Sequence, residues 1–194
     1  MNTNTNEKDE TIKTTQPNVN KKLTLKVATT GILIAVGLVL SYLNPFAYFK
    51  IFGTKINPFA HIINAISGVL IGLGFAVVTA AGIATLRFTL GIGSIHAFHG
   101  GISGAIVVGL VALILIKNKD KYTDYAALFE PLGTIFIGGT IAYVIDALGT
   151  GLQGLLFYWG LFAASCIPGS IIGFIILKII RKAGISWEDY YELL

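Results

Sequence analysis

Apolar residues in this chain neither alternate nor form isolated stripes; they fall in six long blocks separated by short polar or glycine-rich breaks. The blocks run from about Lys26 to Leu43, Pro58 to Leu73, Gly74 to Leu90, His99 to Ile116, Ala126 to Leu148 and Gly154 to Ile180. Runs of this kind predict transmembrane helices, because a helix needs ~20 apolar residues to cross ~30 Å of hydrocarbon. Barrel strands would instead give alternating segments of about ten residues. The second and third blocks meet at Gly72-Leu73-Gly74, where paired glycines permit a tight reversal, so a helical hairpin is expected there. The pattern predicts an all-α integral membrane protein, a bundle of six transmembrane helices. Residues 1–22 are rich in Asn, Thr, Lys and Glu and predict a disordered polar tail, with too little apolar surface to offset ordering entropy. The membrane domain is expected over residues 23–182, followed by a short cytoplasmic or interfacial tail at 183–194.

Composition sharpens this picture. Only 12% of the 194 residues are charged and 54% are hydrophobic, with mean hydropathy +0.76. Soluble domains carry roughly 25% charged residues, so lipid must be the solvent for most of the surface. The net charge of +4 is spread over block ends, which indicates orientation and not a nucleic-acid partner. Cytoplasmic loops retain Lys and Arg. With both termini cytoplasmic, the inner set holds Lys21, Lys22, Lys26, Lys117, Lys119, Lys121, Lys178, Arg181 and Lys182, and the outer set only Lys50, Lys55 and Arg87. The single cysteine, Cys166, reads as a small buried filler.

Chemistry is sought where polar groups sit at membrane depth, since such groups are costly and mark either internal satisfaction or a solute path. His61, Asn64, Arg87, His96, His99, Tyr143, Asp146, Tyr158 and Trp159 all fall toward the outer ends of their blocks in this topology. Asn57, His61 and Asn64 stand at i, i+4 and i+7, on one helical face. They either satisfy one another or line a shared cavity. Arg87 reads as an interfacial anchor, with Asp146 at similar depth as its expected counter-charge. His96 and His99, three apart, fit hydrogen bonding at a wet helix end better than metal ligation, because a lone His pair is a weak metal signal. Phe46, Tyr48, Phe49 and Phe52 lie between Pro45 and Pro58 and predict an aromatic external loop that rests on the membrane surface or covers a cavity. Glu130 falls at the inner start of the fifth block, where a carboxylate complements the helix dipole, so capping is its leading reading and contact with a cytoplasmic partner the second.

No Gly-Lys pair occurs, so the phosphate-binding loop of nucleotide hydrolases is absent. Gly149, Gly151 and Gly154 spell GxGxxG but join two membrane blocks, without the strand that a dinucleotide site requires. There is no GxSxG elbow. No catalytic residue, cofactor or metal is expected. Small residues recur four apart, as at Gly31 and Ala35, Gly68 and Gly72, Gly100 and Gly104, Gly138 and Ala142, and Gly169 and Gly173. Such spacing lines a helix face for close packing within the bundle or against a partner subunit.

The run Asn57-Pro-Phe-Ala-His-Ile-Ile-Asn64, continuing through Gly68 to Gly72, resembles the ThiW family, as do Leu86-Arg87-Phe-Thr-Leu-Gly91-Ile-Gly93-Ser94-Ile-His-Ala97-Phe98, Glu130-Pro-Leu-Gly133-Thr134 and Pro168-Gly-Ser-Ile-Ile-Gly173. The resemblance extends from about Leu23 to Arg181. It implies a six-helix substrate-binding subunit, or S component, of an energy-coupling factor vitamin transporter in the plasma membrane, with both termini inside. The implied substrate is the thiamine precursor hydroxyethylthiazole, and the implied partners are a transmembrane coupling subunit and two cytoplasmic ATPases. Gly31 and Ala35 match the helix face through which that family docks its coupling subunit. His61, Asn64, Arg87, Ser94, His96, His99, Tyr143, Asp146 and Trp159 form the candidate substrate site, with Trp159 or the loop aromatics stacking on the ring. Two other readings stay open: an S component for thiamine or another vitamin, and an intramembrane metalloenzyme built on His61, His96, His99 and Asp146.

Overall fold

The computed structural model describes residues 6–45, 50–51, 54–118 and 122–191. The aromatic loop positions Phe46, Tyr48, Phe49 and Phe52 lie outside the described residues. Helix α1 (Asn6–Tyr42) begins within the polar stretch expected to be unstructured, and its apolar, membrane-length part is Lys21–Tyr42. A two-residue ribbon, β1 (Lys50–Ile51) against β2 (Thr54–Lys55), precedes α2 (Pro58–Leu70). Helices α3 (Leu73–Thr89) and α4 (His96–Lys117) follow. The fifth apolar segment, Thr123–Asp146, is composite: a 3-10 turn at Thr123–Phe129, a π-helical stretch at Leu132–Gly138, and α5 (Gly139–Asp146). Helix α6 (Gly151–Lys182) completes the bundle, and a single 3-10 turn, Trp187–Asp189, follows it.

Four of these segments are long and apolar enough to span a bilayer: Lys21–Tyr42, His96–Lys117, Thr123–Asp146 and Gly151–Lys182. Helices α2 and α3 are shorter; at 1.5 Å per residue, α2 with its 13 residues covers only ~20 Å. They form the hairpin expected at Gly72, whose φ of +89° places the turn in the region that glycine tolerates best. The outward faces carry Val27, Ile32, Val39, Ile114, Ile175 and Ile179, each more than half exposed or close to it. An apolar surface of that extent belongs against lipid.

Helix α2 is the central post. Every residue from Ala60 to Leu70 is buried, and Ile62, Ala65, Ile66, Val69 and Leu70 form the core with Val108 and Ala112 of α4, Ala126 and Ala127 of the fifth segment, and Leu177 of α6. Close approach demands glycine at the α2–α6 crossing: a Cβ on Gly169 would stand 2.5 Å from the Pro58 carbonyl oxygen, and one on Gly173 2.6 Å from Ala65 Cβ. These small-residue faces therefore pack inside the bundle, whereas Gly31 meets nothing within 4 Å, and Ala35 on the same face is also exposed.

The opposite end of the bundle from the α2 N-terminus is clamped by charge. Asp124 is buried and accepts hydrogen bonds from Arg181 Nε at 2.8 Å and Nη2 at 2.7 Å, with Lys178 Nζ at 3.1 Å. This bidentate fork ties the start of the fifth segment to the end of α6. The C-terminal turn packs beneath the α2–α3 hairpin, with Trp187 and Tyr190 buried and Lys26 Nζ 4.4 Å from the Tyr191 ring centre.

Among the described glycines the tightest approach to backbone is at Gly133, where a Cβ would overlap the backbone carbonyl of Ser103 on α4. Gly133→Ala is expected to lower the detergent melting temperature, at a cost of about 1–3 kcal/mol from overpacking. Gly31→Ala, inside α1 with open space around it, should leave the melting temperature no lower than native, since Ala favours helix over Gly.

Candidate functional site

The centre of the bundle holds a carboxylate. Glu130 is fully buried, and its Oε1 accepts three contacts: His61 Nδ1 at 2.7 Å, Asn64 Nδ2 at 3.2 Å and Thr134 Oγ1 at 2.7 Å. The expectation of a capping or partner-facing role at the inner helix start is corrected by this position. The physical reason is the geometry of the segment before it. Seven residues of 3-10 helix, Thr123–Phe129, rise ~2.0 Å each against 1.5 Å in an α-helix, and so carry Glu130 ~14 Å along the axis. The α2 helix is short, so its first turns meet Glu130 halfway. Gly104 on α4 completes the fit, since a Cβ there would overlap Glu130 Oε1 and Thr134 Oγ1.

Asn64 also donates to the Gly101 carbonyl at 2.9 Å, and Thr134 Oγ1 lies 3.0 Å from that of Gly100. His61 and Asn64 are thus satisfied through Glu130 rather than by each other. With an ionised carboxylate and a neutral ring, Nδ1 of His61 donates to Glu130 Oε1 and Nε2 is left as an acceptor.

A cavity of about 240 Å³ opens beside this hub. It is enclosed by the first turn of α2, the turn after α3, the first turns of α4 and the middle of α6. Ala60, Ile92, Ala97, Leu161 and Phe162 give it apolar walls; Asn57, His61, Arg87, Ser94, His96 and Ser165 supply polar groups. No Asp or Glu lines it. Two buried polar atoms of its lining residues have no hydrogen-bond partner, Asn57 Oδ1 and Arg87 Nε. Asn57 is held in place by its other groups: its Nδ2 donates to Ser41 Oγ at 3.0 Å and its backbone N–H to Ser165 Oγ at 3.2 Å. Arg87 is fixed by the chain reversal after α3, where Ile92 and Gly93 N–H both donate to the Arg87 carbonyl and Gly93 packs against the Arg87 side chain.

The candidate residues therefore separate. His61, Arg87, Ser94 and His96 line the cavity. Asn64 sits behind it, on Glu130. His99 bonds His96 from the side, with His96 Nδ1 and His99 Nε2 2.9 Å apart. Asp146 does not pair with Arg87 as expected. It takes His96 Nε2 at 2.7 Å and the Tyr158 hydroxyl at 3.1 Å. Equal depth along two helices does not place side chains at the same angle around the bundle, and here α4 and α6 present the nearer partners. Trp159, expected to stack on a ligand ring, turns toward the fifth segment instead: its Nε1–H donates to Thr140 Oγ1 at 3.1 Å and Phe136 meets it edge-on. Tyr143 lies half-buried beside Gly154, apart from the cavity. Sequence reasoning missed Phe162 and Ser165, which follow Tyr158 at i+4 and i+7 and so share its helical face. Among the described residues, no group of three or more His, Cys, Asp or Glu is placed to hold a metal ion.

A helical bundle with an apolar surface suited to lipid and a small, mixed-polarity cavity defines a membrane protein with room for a small molecule. The family model described as thiamine-precursor transporter protein (ThiW) matches residues 27–183, most of the chain, and this protein belongs to that family. No curated protein and no solved structure matches it. Membership in a transporter family accounts for a membrane-embedded chain with a small-molecule substrate.

Replacing Glu130 tests the hub. Glu130→Ala strands the His61 and Asn64 donors in the core and is expected to cost about 3 kcal/mol or more, whereas Glu130→Gln keeps one accepting oxygen and should cost less. Thermal unfolding of both variants in detergent checks the order; equal stability of Glu130→Ala and the native protein would contradict it.

Proposed function

We propose that this protein captures hydroxyethylthiazole, the thiazole precursor of thiamine, from the outer side of the plasma membrane and releases it inward without altering it. The observation that carries this reading is the pair of unpartnered atoms at the cavity, one donor on Arg87 and one acceptor on Asn57. A neutral thiazole bearing a hydroxyethyl arm complements both: its ring nitrogen accepts and its hydroxyl donates. The His61 Nε2 lone pair, set by Glu130, offers the hydroxyl a second acceptor. Phe162 and the aliphatic wall suit the flat ring. A volume of about 240 Å³ lies below the ~300–1,000 Å³ of pockets for drug-sized ligands, which favours a one-ring molecule.

In this reading the chain crosses the membrane six times with both termini in the cytoplasm, and the cavity faces outward. The basic residues gathered at Lys21–Lys26, at Lys117 and at Lys178–Lys182 support that orientation. The short α2–α3 hairpin is then covered by its neighbours rather than by lipid. Energy comes from partners: a transmembrane coupling subunit and two ATPases, as the S components of energy-coupling factor transporters use. The open face at Gly31 and Ala35 on α1 is the docking surface for the coupling subunit, its small residues allowing close helix approach.

Calorimetry on purified protein tests the capture step. Asn57→Ala and His61→Ala are expected to weaken hydroxyethylthiazole binding by about tenfold each, the value of one buried hydrogen bond, while Tyr143→Phe leaves affinity unchanged. Unaltered affinity in folded Asn57→Ala and His61→Ala proteins would refute this assignment of the site. Docking is read separately: Gly31→Leu should abolish co-purification with the coupling subunit and leave ligand affinity intact.

A further inference from the structure

The charge balance of the cavity bears on which thiazole enters. Arg87 is 9% exposed and lines the cavity, and among the described residues no hydrogen bond or ion pair engages its guanidinium. Neither Glu130 nor Asp146 lines the cavity or engages Arg87: Glu130 Oε1 holds His61, Asn64 and Thr134 while its Oε2 is buried without a partner, and Asp146 takes His96 and Tyr158. The chain between Pro45 and Asn57 contains no Asp or Glu, so the outer loop carries no counter-charge either. A cationic donor fixed in a cavity without acid favours a ligand that presents a lone pair and disfavours one that presents positive charge, and the repulsion is weakly screened at low dielectric.

A free thiazole and a thiazole already built into the vitamin differ in this respect. In the free ring the nitrogen keeps its lone pair and is neutral. Alkylation at that nitrogen, the bond that joins the ring to the rest of thiamine, consumes the lone pair and leaves a fixed positive charge. We infer that Arg87 is the specificity-determining residue of the cavity, donating to the ring nitrogen of a neutral thiazole and rejecting N-alkylated thiazolium ligands, thiamine included. The inference rests on the capture function proposed above and adds the reason the precursor, and not the finished vitamin, is the guest. Gly93 supports the role, because any side chain there would press on Arg87: a Cβ would lie 3.0 Å from Arg87 Cβ and 3.4 Å from its Nε.

A matched ligand series on the full-length protein tests it: hydroxyethylthiazole, its N-methyl thiazolium salt, thiamine, and the thiophene analogue in which C–H replaces the ring nitrogen. For the native protein, the neutral thiazole should bind about 10–100-fold more tightly than either thiazolium, and about tenfold more tightly than the thiophene. In Arg87→Met the thiazole and thiophene should become equal and the penalty on the thiazolium compounds should shrink. Arg87→Gln, which keeps an N–H donor and removes the charge, should retain the thiazole preference over thiophene while relaxing rejection of the thiazolium salt. Equal affinity of the native protein for thiazole and N-methyl thiazolium would overturn the inference while leaving the capture function standing, as would an unchanged preference series in folded Arg87→Met. Binding of none of the four compounds by the native protein would overturn the capture function and this inference with it.

Discussion

A buried carboxylate is the constraint on which this bundle is organised. A buried acidic group is costly unless donors reach it, and Glu130 obtains three at Oε1, from α2 and from its own helix one turn on, while Oε2 is left without one. That requirement fixes the register of the short α2 post against the fifth segment. It also accounts for Gly104, since α4 can approach the carboxylate only where no side chain intervenes. The same contact sets the His61 ring, which reaches from the hub to the cavity wall. The packing of the core and the lining of the cavity are thus coupled through one residue, which reaches the cavity only by way of His61.

The apolar helical segments are legible in the sequence because both lipid and a buried core call for long apolar runs, although only four of them reach bilayer length. Block boundaries at Pro58, Gly74 and His99 fall within a few residues of the observed helix starts at Pro58, Leu73 and His96. The hairpin at Gly72 was equally readable, since positive φ and the absence of a polar loop both call for glycine there. Glu130 was not readable. Its place in the block implied the inner membrane surface, and nothing in Thr123–Phe129 announces a 3-10 helix that carries the chain deeper. The preference of this segment is set by packing of Ala126 and Ala127 into the core, a tertiary effect without a local pattern.

The candidate site shows the same division. Hydropathy gives depth but not angle, so it groups His61, Arg87, Ser94 and His96, which line one cavity, with Asp146, Tyr143 and Trp159, which face other partners. Phe162 and Ser165 were passed over because an aromatic and a serine in an apolar run carry no chemical label; only the facing of α6 toward α2 brings them to the cavity.

A cavity with an unpartnered donor and an unpartnered acceptor is suited to holding a guest. The chain belongs to a family of thiamine-precursor transporters, and the proposed division of labour has this chain recognise the solute while partners supply energy. Equilibrium dialysis of the purified protein against isotope-labelled hydroxyethylthiazole, followed by mass spectrometry of the released fraction, addresses the central claim directly. The account predicts one equivalent bound per chain and recovered chemically unchanged. Failure to retain the compound, or its recovery as a different molecule, would contradict it.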